Sequence, residues 1–247
     1  MLADSHCHLD SFPSPQAVIG TAVSAGVGVM VSNSTNLASM EKNIFLASRY
    51  KQVRCALGLH PVDLLFMERE RAQGCIAYLK ANIPHAKSIG EVGLDFKYAA
   101  NDMQRSIQEN FFTEQVEIAL ENGLPLIVHS RYAEKRCLEI LARLGAERVL
   151  MHWLTGNKKS AEDAVSLGYF ISCGPVILND PASAQVVKSI PLENILLETD
   201  APVKFGGKPS DPSWVKGVCA KVGGLKGLDY SNVEAATWSN FKRLFRE

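Results

Sequence analysis

The sequence predicts an α/β chain of the (β/α)8 TIM-barrel class, folded as a single domain over residues 1–247. Three observations predict it. Short apolar runs, often β-branched, alternate with longer amphipathic stretches along the whole chain. The alternation repeats about eight times within 247 residues, the size such a barrel requires. Residues with metal-binding chemistry recur at or just beyond the carboxyl ends of the strand-like runs, the ends that converge on one face of a barrel. An open doubly wound sheet shares the first observation and is the main competing architecture. No low-complexity linker or charge block divides the chain.

The first strand, 2–7, lies within LADSHCHLD, where Asp4, His6 and His8 occupy alternate positions. Alternate side chains of a strand share a face about 7 Å apart, so one strand offers two imidazoles to one point in space. A helix over 15–25 leads to a strand at 27–32 (VGVMVS), and a helix over 38–50 to a strand at 53–58 (VRCALG), with His60 just after it. A helix over 68–82 precedes the strand 87–92 (KSIGEV), which ends near Glu91. The clearest helix is 103–122, with a stripe through Ile107, Phe111, Val116, Ile118 and Leu120. The strands 125–129 (PLIVH) and 148–152 (RVLMH) end in His129 and His152, with a helix over 131–144 between them. A helix over 157–167, a strand at 169–173 (YFISC), a helix over 181–188 and a strand at 195–199 (ILLET) follow, and Asp200 comes next. Two more helices are expected at 211–222 and 231–245. Five of the six histidines thus fall at strand ends; His85 does not.

Composition narrows the function classes. Apolar residues make up 47% of the chain and charged residues 21%, as in an ordinary globular protein. Lysine plus arginine equals aspartate plus glutamate at 26 each, so no global field recruits nucleic acid or an acidic membrane. No run approaches the roughly 18 apolar residues of a spanning helix, and no basic-then-apolar leader opens the chain. The six cysteines are scattered without a C-x-x-C pair, which favours reduced, buried thiols. A cytoplasmic protein with no membrane contact and no obligate protein partner is expected.

Four imidazoles (His6, His8, His129, His152) and two carboxylates (Glu91, Asp200) suit borderline divalent cations. Six ligands exceed one tetrahedral zinc but fit two ions that keep open positions. Between two cations a negative group is required, and Glu91 can offer one oxygen to each. His6, His8 and Asp200 then complete one ion, and His129 with His152 the other. A water shared by the two ions is acidified and becomes the nucleophile. Two dications against Glu91, Asp200 and hydroxide leave about one positive charge, which favours a phosphodiester substrate. Asp200 is the natural proton acceptor. Glu198, Asp4 and Asp95 are secondary carboxylates; Asp4 is placed to orient a ligand imidazole, and Glu198 to serve either the site or a salt bridge. The near-motifs AGVGVM and FGGKPS lack the spacing and the following helix of phosphate-binding loops.

The set Asp4–Asp10, Gly58-Leu59-His60-Pro61, Gly90–Asp95, His129-Ser130-Arg131 and Glu198-Thr199-Asp200-Ala201-Pro202 resembles the TatD family of metal-dependent deoxyribonucleases, within the amidohydrolase superfamily. The resemblance runs in order from residue 4 to 202. It implies a TIM barrel with a binuclear centre of Zn, Mn or Mg held by His6, His8, Glu91, His129, His152 and Asp200. It implies hydrolysis of DNA, at strand ends or on single strands, from the 3′ end, with His60 at the substrate phosphate. Two segments depart from the family's pattern: His152-Trp153-Leu154-Thr155-Gly156, and Val203–Ser210, where lysines replace the usual arginines. Arg131, Lys204 and Lys208 are the expected phosphate contacts outside the ligand set, and Trp153 with Phe205 the expected stacking surface for an unpaired base. A hydrolase of the same superfamily acting on a lactone, amide, ester or phosphotriester is the alternative. In that superfamily many members bridge with a modified lysine, and Glu91 in its place favours the TatD type. A metal-binding scaffold with decayed catalysis is the third reading, disfavoured because every ligand position is filled.

Overall fold

Eight short β-branched and aliphatic runs form one parallel sheet in a computed structural model that describes residues 1–153 and 157–247. The strands are β1 (Leu2–Cys7), β2 (Val27–Asn33), β3 (Val53–Leu57), β4 (Ser88–Asp95), β5 (Leu126–Arg131), β6 (Val149–Met151), β7 (Phe170–Cys173) and β8 (Ile195–Leu197). Each pairs with its sequence neighbours in the order β1 to β8. The two edges are drawn together where Asp200 N–H donates to the His6 carbonyl at 2.9 Å and His8 N–H to the Ala201 carbonyl at 2.7 Å. The result is a nearly closed TIM barrel, and the open-sheet alternative is excluded.

Helices connect the strands: α1 (Pro15–Ser24), α2 (Leu37–Arg49), the short α3 (Pro61–Leu64), α4 (Arg69–Ala81), α5 (Asp102–Glu121), α6 (Glu134–Arg143), α7 (Lys158–Ser166) and α8 (Pro181–Ser189). Two more, α9 (Val215–Lys226) and α10 (Tyr230–Phe245), follow the last strand. Local chemistry sets several of their starts: Asn36, Asn101, Asn157 and Asp180 each accept a backbone N–H from the first turn they cap. Among the described residues no helix is long and apolar enough to cross a membrane.

The face that α5 turns inward keeps only part of the stripe the sequence predicts. Ile107 and Leu120 are exposed and Phe111 is half-buried, while Gln108, Phe112, Gln115, Val116, Ile118 and Ala119 are buried. Two glutamines take inward positions because the loops above the barrel need partners. Gln115 receives Leu59 N–H at 2.7 Å, and Gln108 receives Asp95 N–H at 2.9 Å while donating to the Pro61 carbonyl. Polar groups buried with satisfied bonds escape a pattern built on apolar residues.

The barrel interior is layered. Ala3, Val29, Val31, Ala56, Ile127, Leu150, Phe170 and Leu196 fill it together with Phe241, Leu244 and Phe245 of α10, which seals one end. Two residues on, the same inward face carries different chemistry: Ile127 is followed by His129, Leu150 by His152 and Leu196 by Glu198. Apolar layers thus pass directly into polar ones along single strands.

Candidate metal centre

Inward-facing residues from six strand ends meet at the mouth opposite α10. A cleft of about 790 Å³ opens there, lined in part by His8, His60, Glu91, His129, His152 and Asp200. Glu91 does not end its strand as expected; β4 continues to Asp95. The register with β5 shifts between Ile89 and Val92, and the flanking glycines allow the close approach this needs. A Cβ at Gly90 would come within 2.8 Å of the Asn33 Oδ1 and Ile127 Cβ atoms, and one at Gly93, where φ is +142°, would strike the His129 carbonyl.

The structure brings together all six sequence-predicted ligands, and with His60 they make three overlapping groups of donors: His6, Glu91 and His152; His6, His8 and Asp200; His60, Glu91 and His129. His6 Nε2 and His8 Nε2 lie 3.2 Å apart. Both face Asp200 Oδ1 at 3.4 Å and Glu91 Oε2, at 3.5 and 3.3 Å respectively. The other oxygen of Glu91, Oε1, faces His129 Nδ1 at 3.0 Å, His152 Nε2 at 3.3 Å and His60 Nε2 at 3.5 Å. Carboxylate oxygens only accept, and two facing imidazole nitrogens share at most the protons they carry. Donor atoms converging this densely, on four buried side chains and three half-buried ones, fit divalent cations.

Charge follows the geometry. At His8 burial opposes the charged form, yet Asp200 and Glu91 raise its pKa well above the ordinary 6.5. His152 behaves likewise under Glu198 and Glu91, and His129 under Asp95 and Glu91. Burial would raise the Glu91 carboxyl, but His60, His6, His129 and His152 hold it well below the usual range. Asp200 is held low by the same contest between burial and the imidazoles of His6, His8 and His152. His60 differs. Burial keeps its pKa low despite Glu91 beside it, and its Nδ1 accepts Val62 N–H at 3.2 Å as the cap of α3. The ring proton of the neutral form therefore sits on Nε2 and points into the cleft, a donor rather than a lone pair.

Contacts behind the ligands correct the sequence reading of the secondary carboxylates. Asp4 touches no imidazole: its carboxylate takes the backbone N–H groups of His6 and Thr199 and the Thr199 hydroxyl. A register irregularity between Asp4 and Cys7 turns it away from the ligand side chains. Asp95, given no role from sequence, is the partner of His129, with Oδ2 at 3.1 Å from Nε2. Its signal was its place four residues after Glu91, on the same face of one strand. Glu198 faces His152 Nδ1 at 3.1 Å, and the Asn33 carbonyl faces His8 Nδ1 at 3.0 Å.

The expected substrate contacts are scattered. Arg131 and Trp153 line the cleft, as does Val203; Lys204 and Lys208 are absent from its described lining. Both lysines are exposed, on a hairpin of β9 (Lys204–Phe205) and β10 (Lys208–Pro209) turned by Gly206 and Gly207 at φ 58° and 80°. Phe205 lies opposite Lys208 and meets Trp153 at 5.4 Å between ring centroids. Residues 154–156, part of one departure from the family pattern, lie outside the described residues. Backbone strain collects at the mouth: Tyr132, Trp153 and Asp200 all have φ near +50° (56°, 50° and 49°), a conformation costing a non-glycine residue about 1–3 kcal/mol.

A parallel barrel with convergent histidines and carboxylates at this end belongs to the metal-dependent hydrolases. Comparison with known proteins narrows that class. A family model described as TatD related DNase matches residues 3–246. A metal-dependent hydrolase of Bacillus subtilis, YabD, is 33% identical over 100% of this chain and 99% of its own length. The 3′-5′ ssDNA/RNA exonuclease TatD of Cronobacter sakazakii is 30% identical over 92% of this chain and 90% of its own. The crystal structure of YjjV, a TatD homologue from Escherichia coli, superposes with a TM-score of 0.89 at 30% identity, covering 100% of this chain and 98% of that one. The chain belongs to the TatD family and is a metal-dependent hydrolase.

Proposed function

We propose that the protein, acting as one unit over residues 1–247, hydrolyses phosphodiester bonds of single-stranded DNA or DNA strand ends from the 3′ side, at a centre of two divalent ions. One observation supports this above the rest: Glu91 turns one oxygen to His6 and His8 and the other to His129 and His152. A single carboxylate facing two donor sets is the arrangement that separates two cations. His6, His8 and Asp200 would hold one and His129 with His152 the other; zinc, manganese and magnesium are the ions in question. Bound there, such ions supply Lewis acidity toward the phosphoryl group and a water acidic enough to attack.

The residues do the rest. Asp200, ionised because its pKa is held down, accepts the proton of the attacking water. His60, with its proton on Nε2, donates to a non-bridging phosphoryl oxygen and strengthens that bond as charge develops there. Arg131 at the rim pairs with a neighbouring phosphate as a planar fork, and Trp153 offers a face to an unpaired base. Lys204 and Lys208 extend the positive rim on the hairpin beyond the cleft. The relative named as a single-strand exonuclease supports this substrate class. Six free, buried cysteines suit a reducing, cytoplasmic setting.

The test uses 5′-labelled single-stranded DNA with Mg²⁺, Mn²⁺ or Zn²⁺, with and without chelator. Shortening from the 3′ end that chelator stops is expected. Intact oligonucleotide under every ion, alongside turnover of a lactone or phosphotriester, would replace this reading with the alternative hydrolase.

A further inference from the structure

The two halves of the ligand cage are backed differently. On the far side of His129, Asp95 Oδ2 lies 3.1 Å from Nε2. Its other oxygen is pinned by the backbone N–H groups of Lys97 and Tyr98, at 3.0 and 3.2 Å. Behind His152, Glu198 Oε2 lies 3.1 Å from Nδ1 and accepts the Ser172 hydroxyl at 2.5 Å. Glu198 is fully buried, and a Cβ at Gly174 would press on it at 3.3 Å, so there is little room for it to move. Among the described residues the other half has no such support. His8 Nδ1 faces only a neutral carbonyl, that of Asn33, and His6 Nδ1 is buried with no partner among them.

A carboxylate on the outer nitrogen of an imidazole fixes its tautomer and makes the inner nitrogen a better donor. It also places negative charge one ring-width from the bound cation, in a medium that screens poorly. We propose that Asp95 and Glu198 are positioning residues that make the His129–His152 seat the tighter of the two, filled first, while the His6–His8–Asp200 seat is the weaker and exchangeable one. This rests on the two-ion reading above. In this ordering His129 presents Nδ1 to the site and the other three imidazoles present Nε2.

The experiment is a Zn²⁺ titration of metal-stripped protein against a chromophoric chelator, repeated with Co²⁺ to follow its visible absorption. The unaltered protein should bind two equivalents in separate steps. Asp95→Asn and Glu198→Gln should each weaken the first equivalent by roughly 10–100-fold and change its cobalt spectrum, leaving the second as it was. His8→Ala should abolish the second step and keep the first. Two indistinguishable steps in the unaltered protein would overturn the asymmetry, as would carboxamide variants that weaken both steps equally or neither. A single equivalent in the unaltered protein would instead overturn the two-ion reading and, with it, the asymmetry. The His8→Ala titration keeps the ordering testable if either carboxamide variant fails to fold.

Discussion

The two ends of the barrel are built from the same strands and filled in opposite ways. At the base, Phe241, Leu244 and Phe245 of α10 pack on Val29, Ile127, Leu150 and Leu196, with Trp238 stacked on Phe241 at 5.4 Å. At the mouth the next inward positions carry imidazoles and carboxylates that face one another within 3.5 Å. The base gains stability from every contact. At the mouth the chain accepts buried charge, an unpaired His6 nitrogen and left-handed backbone, all of which oppose folding. Left-handed backbone and unmet polar groups gather at the mouth, at Tyr132, Trp153, Asp200 and His6, although Arg246 and Ser88 carry one of each elsewhere; the apolar base supplies the excess stability that tolerates them.

Substitutions at the two ends should therefore separate activity from stability, and the sharpest test comes first. Glu91→Ala should lower DNA hydrolysis by roughly 10³-fold or more and reduce bound metal from two equivalents to at most one, read by steady-state rates and elemental analysis. Two retained ions would remove the bridge. Phe241→Ala should cost about 3–5 kcal/mol in denaturant unfolding and leave turnover per folded molecule within about twofold. A large catalytic loss from that change would show that the ends are coupled. Asp200→Asn should slow hydrolysis by at least about a hundredfold with folding midpoint little altered, whereas near-normal rates would assign the proton to another acceptor. Trp153→Ala should weaken binding of an unpaired oligonucleotide by about 1–3 kcal/mol, measured by fluorescence anisotropy in chelator. Unchanged affinity would make Trp153 a wall and no more.

The smallest effect concerns pH and the packing layers alone. Burial pushes the Cys55 thiol up to about 12 and the Cys219 thiol up to about 11, against an ordinary 9. A thiol raised on folding favours the native state while it stays protonated. That contribution is complete below pH 9 and is lost between 9 and 12 as the unfolded chain ionises first. Unfolding midpoints should decline over that window, and iodoacetamide at pH 8 should label the native protein slowly. Rapid labelling of all six thiols without unfolding would contradict their burial.

Much of this contrast was legible before any coordinates. Strand-end histidines are conspicuous after apolar runs such as LIV or VLM, and the six side chains read from sequence as candidate ligands lie together at the mouth. The strand–helix order followed from alternation; closure into a barrel rested also on the repeat count and on where the unusual residues fall. What escaped the pattern did so through backbone–side-chain pairing. Gln108 and Gln115 sit inward on α5 for hydrogen bonds to loops, so of the expected stripe Val116 and Ile118 face the core while Ile107 and Leu120 face outward. The strand expected over 87–92 runs on to Asp95, which puts that secondary carboxylate on the same strand as Glu91. Lys204 and Lys208 were read only as phosphate contacts, although the paired glycines between them make a two-residue hairpin turn. Helix α9 begins at Val215 rather than near 211, because Pro212 and Trp214 first form a separate 3-10 turn capped by Asp211.

The seal that α10 places across the barrel has a consequence for biosynthesis. Strands β1 to β8 emerge from the ribosome before the sixteen residues Tyr230–Phe245 that dry out their interior. At about 5–20 residues per second, the nascent barrel spends on the order of a second or more with Val29, Ile127 and Leu150 still open to water. A message truncated before α10 should yield chains that aggregate or depend on chaperones, although every candidate ligand through Asp200 has already been translated.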